Sequence, residues 1–100
     1  MSVNHNSNKV SNMALNKRKR KLKFRCWHRG SREADLLLGN FVDKYLPDMD
    51  ISDVEKLESI ADSSDQEIWG WVTGNIPIPA GISFTMVDSL KSIYTQVSSR

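Results

Sequence analysis

The residues able to do chemistry on their own are few in this chain. There is one cysteine, Cys26, and two histidines, His5 and His28. A nucleophile needs a base within hydrogen-bond reach, and a zinc site needs ligands at characteristic spacings. Cys26 with the nearby His28 and the distant His5 makes no recognised set, and neither triad spacing nor a phosphate-cradling loop is present. The carboxylates have no evident partners for paired acid and base work. Cys26 cannot form an internal disulfide and is expected to be a small, packed, reduced thiol, which suits an intracellular setting. His28, between Trp27 and Arg29, is expected at the surface or at a helix end. No catalytic, metal or cofactor-binding residue is assigned.

Two polar features remain. The first is the basic run Lys17 to Lys21 with Lys23 and Arg25. Contiguous cations can neutralise phosphates or an anionic surface, or simply form a solvated helix face. The second is Arg29-Gly30-Ser31-Arg32-Glu33-Ala34-Asp35, a cluster of alternating charge with a glycine inside it. Packing explains this cluster least; its plain reading is a capped turn with surface ion pairs, and its functional one a docking site made of Arg29, Gly30, Ser31, Arg32, Glu33 and Asp35. Trp69 and Trp71 could offer a stacking platform, but in a small domain they are expected to be structural.

The elements that position these groups follow from pattern. Met1 to Asn12 is rich in Asn and Ser, offers almost no large apolar residue, and is expected to be a disordered tail. Residues 13–100 are expected to form a single helical domain. Helix formers dominate from about Met13 to Trp27, with Leu15, Leu22, Cys26 and Trp27 as anchors. Gly30 then stands where a helix C-terminus takes a left-handed residue, and Ser31 can cap the next helix. In that helix Ala34, Leu37, Leu38, Phe41, Val42 and Tyr45 share one face, and Pro47 ends it. Ser52 to Glu55 and Ser64 to Glu67 both fit the S-x-x-E capping box, which predicts two short helices. The first would bury Val54, Leu57, Ile60 and Ala61. The second would bury Ile68, Trp71 and Val72, with Trp69 at its margin, and stop at Gly74. Gly74 to Gly81, with Pro77 and Pro79, reads as a linker. A last helix, about Ser83 to Val97, aligns Met86, Leu90, Ile93, Tyr94 and Val97. No strand pattern competes, so the predicted fold is all-α, a compact five-helix bundle behind a disordered basic N-terminal tail.

Composition agrees. The chain has 100 residues, 39% hydrophobic and 26% charged, enough for one small core and little room for an internal active site. Its net charge of +2 conceals a division: ten basic residues and no acid precede Glu33, and from Glu33 onward four basic residues stand against twelve acids, a sum of −8. Such polarity suits docking by complementary charge. No apolar run reaches the roughly 20 residues of a spanning helix. Met1 to Asn16 has neither the apolar stretch of a secretory signal nor the arginines of a transit peptide.

At the junction cluster the sequence resembles the flavinylation-factor family that includes bacterial SdhE and mitochondrial succinate dehydrogenase assembly factor 2. The likeness rests on the basic, aromatic first helix and on an Arg-Gly-x-x-Glu-x-Asp pattern matched by Arg29, Gly30, Glu33 and Asp35. The apolar second helix with Leu36-Leu37-Leu38, the acidic capped helix and Glu67-Ile68-Trp69-Gly70-Trp71 extend it over about Arg20 to Val97. It departs at His28, where many relatives have a second Arg, and at Ser31, where a larger apolar residue is common. The resemblance implies a non-catalytic assembly chaperone, and five amphipathic segments that can close one core without a large apolar face left over are expected to form a monomer. It would bind the flavoprotein subunit of succinate dehydrogenase, with fumarate reductase flavoproteins as second clients, and promote covalent attachment of FAD to a client histidine. FAD would stay with the client, with none bound stably here. The expected setting is cytoplasmic, or the mitochondrial matrix for a eukaryotic source, without nucleic acid or membrane insertion. The runner-up from the residues alone is a small basic nucleic-acid- or ribosome-associated protein, resting on Lys17 to Arg25. An antitoxin-like regulator is a third reading.

Overall fold

The computed structural model describes the backbone of residues 2–98 and the side chains of residues 12–97. Five helices follow one another: α1 (Ser2–Trp27), α2 (Arg32–Tyr45), α3 (Ile51–Ala61), α4 (Asp65–Thr73) and α5 (Phe84–Ser98), with a 3-10 turn at Leu46–Asp48 after α2. No strand occurs among the described residues. The all-helical bundle read from periodicity is the fold. The expected tail, Met1 to Asn12, falls almost wholly outside the residues whose side chains are described.

α2 is the central element. It packs on α1 along one side and on α5 along another, while α3 closes against α1 and α4 against α5. Its stripe Ala34, Leu37, Leu38, Phe41 and Val42 is buried, and the core is completed by Leu22 and Cys26 of α1, Val54, Leu57 and Ile60 of α3, Ile68, Trp71 and Val72 of α4, and Met86, Val87, Leu90 and Ile93 of α5. Every helix thus contributes an apolar face at its own period, and burying such faces is the main favourable term in a domain of this size. Tyr45 is only half-buried and tilts against Phe41, with ring centroids 5.0 Å apart. Trp69 lies at the core margin as expected, with Tyr94 of α5 edge-on to it at 5.5 Å.

The helix ends follow local chemistry, with one correction. Ser31 and Ser64 cap α2 and α4, and Ser64 with Glu67 forms both reciprocal bonds of the capping box. Ser83 accepts from the backbone N–H of Met86 at 3.2 Å and so opens α5. Gly74, at φ 83°, ends α4. The box proposed at Ser52 to Glu55 does not form. α3 begins earlier, with Asp50 as its N-cap accepting from the N–H of Asp53 at 2.9 Å. Asp and Ser are near-equal caps, so local sequence does not rank them. Met49 decides: its side chain is buried and its backbone extended, so the chain leaves the core ready to turn into helix at Asp50.

The proline-bearing segment after α4 does more than connect. The Ile76 N–H donates to the Gly70 carbonyl at 3.0 Å, and Ile78 and Ile82 pack against the core, so the loop forms a wall over α4.

Gly39 shows how tightly α1 meets α2. A Cβ built there would lie 2.2 Å from the indole of Trp27, so only hydrogen lets the ring lie flat on the helix. The same indole N–H donates to Asp43 at 3.2 Å, which holds the ring in place. Gly39→Ala gains about 1 kcal/mol of helix propensity but overpacks the contact at a cost of about 1 to 3 kcal/mol. The expected outcome is a lower melting temperature, with red-shifted tryptophan emission as Trp27 is displaced toward water.

Candidate functional site

The junction cluster occupies the turn from α1 to α2. Gly30 adopts φ 107°, a region L side chains rarely enter, and a Cβ there would meet nothing within 4 Å. The glycine is therefore required by the backbone, and its outer side is open to a partner. Ser31 is extended and accepts from the N–H of Ala34 at 3.2 Å, while Asp35 accepts from the backbone N–H of Arg29 across the turn. Together these bonds fix the direction in which α2 leaves.

Arg29 is not part of an exposed constellation. Its side chain is only 10% exposed and turns inward. Nε donates to Asp65 at 2.9 Å, Nη1 to the Ala61 carbonyl at 2.6 Å and Nη2 to the Ser63 carbonyl at 2.7 Å. Ala61 is the last residue of α3 and Asp65 the first of α4, so one guanidinium satisfies carbonyls left over at one helix end and pairs with a carboxylate at the start of the next. The exposed members of the cluster are Gly30, Arg32 and Glu33. Among the described residues neither Arg32 nor Glu33 has a hydrogen bond or ion pair. A bare cation and a bare carboxylate thus stand side by side on a turn held rigid from beneath, an arrangement that can form charge-assisted bonds to a second protein at little ordering cost.

The basic run divides in the same way. Arg18 binds Glu58 through Nε at 3.0 Å with a second short contact from Nη2, and Arg25 binds Asp62 at 2.6 Å. The hydrogen bond from Arg18 is the main cause that holds the Glu58 carboxyl below its ordinary value. On the other flank Lys19 donates to the Pro47 carbonyl at 3.1 Å, and Lys23 lies 3.7 Å from Asp43. Much of what looks in sequence like a polycation is the stitching of α1 to the acidic elements beside it.

Cys26 is fully buried and free. Desolvation pushes its thiol up to about 11, against the smaller opposing pull of Arg29 and Arg25. A thiol so placed is packing, as the sequence led us to expect. His28 is exposed, its ring stacked on Phe24 with centroids 4.1 Å apart and Nδ1 2.7 Å from the Phe24 carbonyl oxygen. This pair escaped the sequence reading. The i, i+4 spacing of two rings on one helix is a usable signal, but exposure is not visible without the fold. Among the described residues no group of three or more His, Cys, Asp and Glu is placed to hold a metal ion. Among the described residues no helix is long and apolar enough to cross a membrane. The recesses between helices are grooves open to solvent, one of them lined by Arg32, Leu36, Asn40, Lys44, Ile93 and Val97 among others.

Bundle and surface together define a small all-helical domain that presents an exposed cation and an exposed carboxylate, Arg32 and Glu33, at the start of α2. Residues 20–94 match the family described as flavinator of succinate dehydrogenase, and the chain belongs to that family. It is 39% identical over 62 residues to the FAD assembly factor SdhE of Acetobacter pasteurianus, covering 62% of this chain and 57% of that one. It is 35% identical over 74 residues to the mitochondrial succinate dehydrogenase assembly factor 2 of Saccharomyces cerevisiae, covering 71% and 46%. To the Drosophila grimshawi protein of the same name it is 34% identical over 82 residues, covering 80% and 56%. The chain thus spans about half the length of the relatives it matches. No solved structure matches it.

Two outcomes follow from the inward-facing groups. Arg29→Ala strands two carbonyls and a carboxylate and should cost about 2 to 4 kcal/mol. Arg29→Lys should recover only part of this, because one ammonium cannot span three acceptors in the guanidinium's plane; urea titration checks both. Cys26 should react with a thiol reagent at neutral pH only as fast as the protein opens. Because its folded value is raised, its contribution to stability is complete below the unfolded value near 8.5 and is lost as pH rises from there through about 11. Cys26→Ala should flatten that alkaline loss.

Proposed function

We propose that this chain is an assembly chaperone that binds the flavoprotein subunit of succinate dehydrogenase and promotes covalent attachment of FAD to a client histidine. Flavoproteins of fumarate reductase are second clients under the same reading. Family membership supports the pathway. The observation that carries the mechanism is the exposed strip Gly30, Arg32 and Glu33, whose charged side chains have no partner among the described residues.

The chain itself is not an enzyme in this scheme. The client would hold FAD and supply the histidine that becomes bonded to it, and no residue of this chain takes part in making that bond. The chaperone supplies geometry: by binding one conformation of the client better than others it raises the fraction in which histidine and flavin are aligned. A rigid turn serves this role better than a mobile loop, because a ligand shifts a conformational equilibrium only by its differential affinity for the two states. Gly30 lets a client backbone approach closely, and Glu33 makes a charge-assisted contact that is desolvated at the interface.

Glu33 and Arg29 separate function from folding. Glu33 lies in the first turn of α2, where it complements the helix dipole, so Glu33→Ala should lower stability by only a few tenths to about 1 kcal/mol. Its loss at the interface should cost about 2 to 5 kcal/mol of binding. Coexpression with the flavoprotein, followed by in-gel flavin fluorescence and a thermal melt, should show Glu33→Ala folded and nearly inactive. Gly30→Arg should be inactive as well. Full covalent FAD incorporation with a folded Glu33→Ala protein would remove the junction from the mechanism.

A further inference from the structure

The cations of α1 fall into two classes by their place around the helix. On the α3 flank Arg18 and Arg25 are bound to Glu58 and Asp62, and on the α2 flank Lys19 and Lys23 meet the Pro47 carbonyl and Asp43. Between these flanks Leu22 and Cys26 face the core. Lys17 and Lys21 lie on the opposite side, and Arg20 lies between them and the α2 flank, where it borders the recess of Lys19, Lys23 and Asp43. All three are exposed, and among the described residues none has a hydrogen bond or an ion pair.

Met13 and Phe24 share that outward side, because steps of three, four and seven residues return to one face of a helix. They are 69% and 64% exposed, among the largest exposures of any large apolar side chains described. Water gains nothing from an exposed phenyl ring, and this one is held ready: His28 stacks on it at 4.1 Å with planes 17° apart, and itself lies against the Phe24 carbonyl. The stack adjoins a small recess with Arg25, Arg29 and Ala61 and ends two residues before Gly30. An aromatic ring ordered before contact and ringed by cations has the composition of an interface anchor.

We infer that this outward stripe of α1, Lys17, Arg20, Lys21 and the Phe24–His28 stack, is a second half of the docking surface, and that it receives an acidic patch with an apolar centre on the flavoprotein subunit. This rests on the reading given above. Phe24 supplies affinity and the three cations supply steering. Continuity with the junction favours the same partner, since Gly30 follows His28 by two residues. A polyanion such as RNA or an anionic membrane fits less well. One face of the Phe24 ring is already covered by His28, which leaves less of it for a base to stack on.

The test measures binding of the full chain to purified flavoprotein subunit at low and high salt. Phe24 is exposed, so Phe24→Ala should leave the thermal melt unchanged and weaken binding about 10- to 100-fold, mostly through faster dissociation. Replacing Lys17, Arg20 and Lys21 together by Gln should slow association about 10-fold at low salt and change little at high salt. If both variants bind like wild type while Glu33→Ala fails to bind, the stripe is overturned and the junction reading stands. If wild type itself does not bind the flavoprotein, both fall. If the triple variant instead loses binding to single-stranded RNA or to phosphatidylserine vesicles while flavoprotein binding is intact, the stripe belongs to that polyanion and the inference is overturned.

Discussion

The inward turn of Arg29 is the interaction on which the rest of the junction depends. Its guanidinium reaches the end of α3 and the start of α4, while its own backbone N–H is held by Asp35 of α2. One residue therefore ties the turn between α1 and α2 to the turn between α3 and α4. Without it the Ala61 and Ser63 carbonyls of the second turn would be left unsatisfied, and an unpaired buried group costs about as much as a lost hydrogen bond. The planar fork of arginine suits three acceptors spread over two chain segments.

Rigidity at that point gives the neighbouring surface its value. Gly30, Arg32 and Glu33 stand on a backbone fixed by a serine cap, by the Asp35 bond and by the arginine beneath. A partner meeting them does not have to order a loop, so more of the contact energy is available to select one conformation of that partner. The division of labour inside a short motif is clear: Arg29 and Asp35 hold, Ser31 caps, and Arg32 and Glu33 face outward.

The same division runs along α1. A helix with few apolar side chains is held against an acidic neighbour by ion pairs on both flanks, each partly exposed and individually modest. Their number and their two-sided placement orient the helix about its own axis. The orientation decides which cations are paired within the bundle and which stay exposed.

Much of this protein was legible in its residues. The helical period of Ala34 to Tyr45, the Ser64 to Glu67 box and the glycines at 30 and 74 determined an all-helical chain and most of its helix ends, because these signals act through contacts three or four residues apart. The Arg-Gly-x-x-Glu pattern located the junction. Only the tertiary structure decided what each charge does. Arg29 and Asp65 are 36 residues apart, and Arg18 and Glu58 are 40, so nothing local marks them as partners. The choice of Asp50 over Ser52 as cap followed from where Met49 enters the core, and the exposure of Phe24 from which face of α1 is turned to the core. Periodicity tells which residues share a face, but packing tells which face is buried, and a charge is free for function only where packing has left it without a partner.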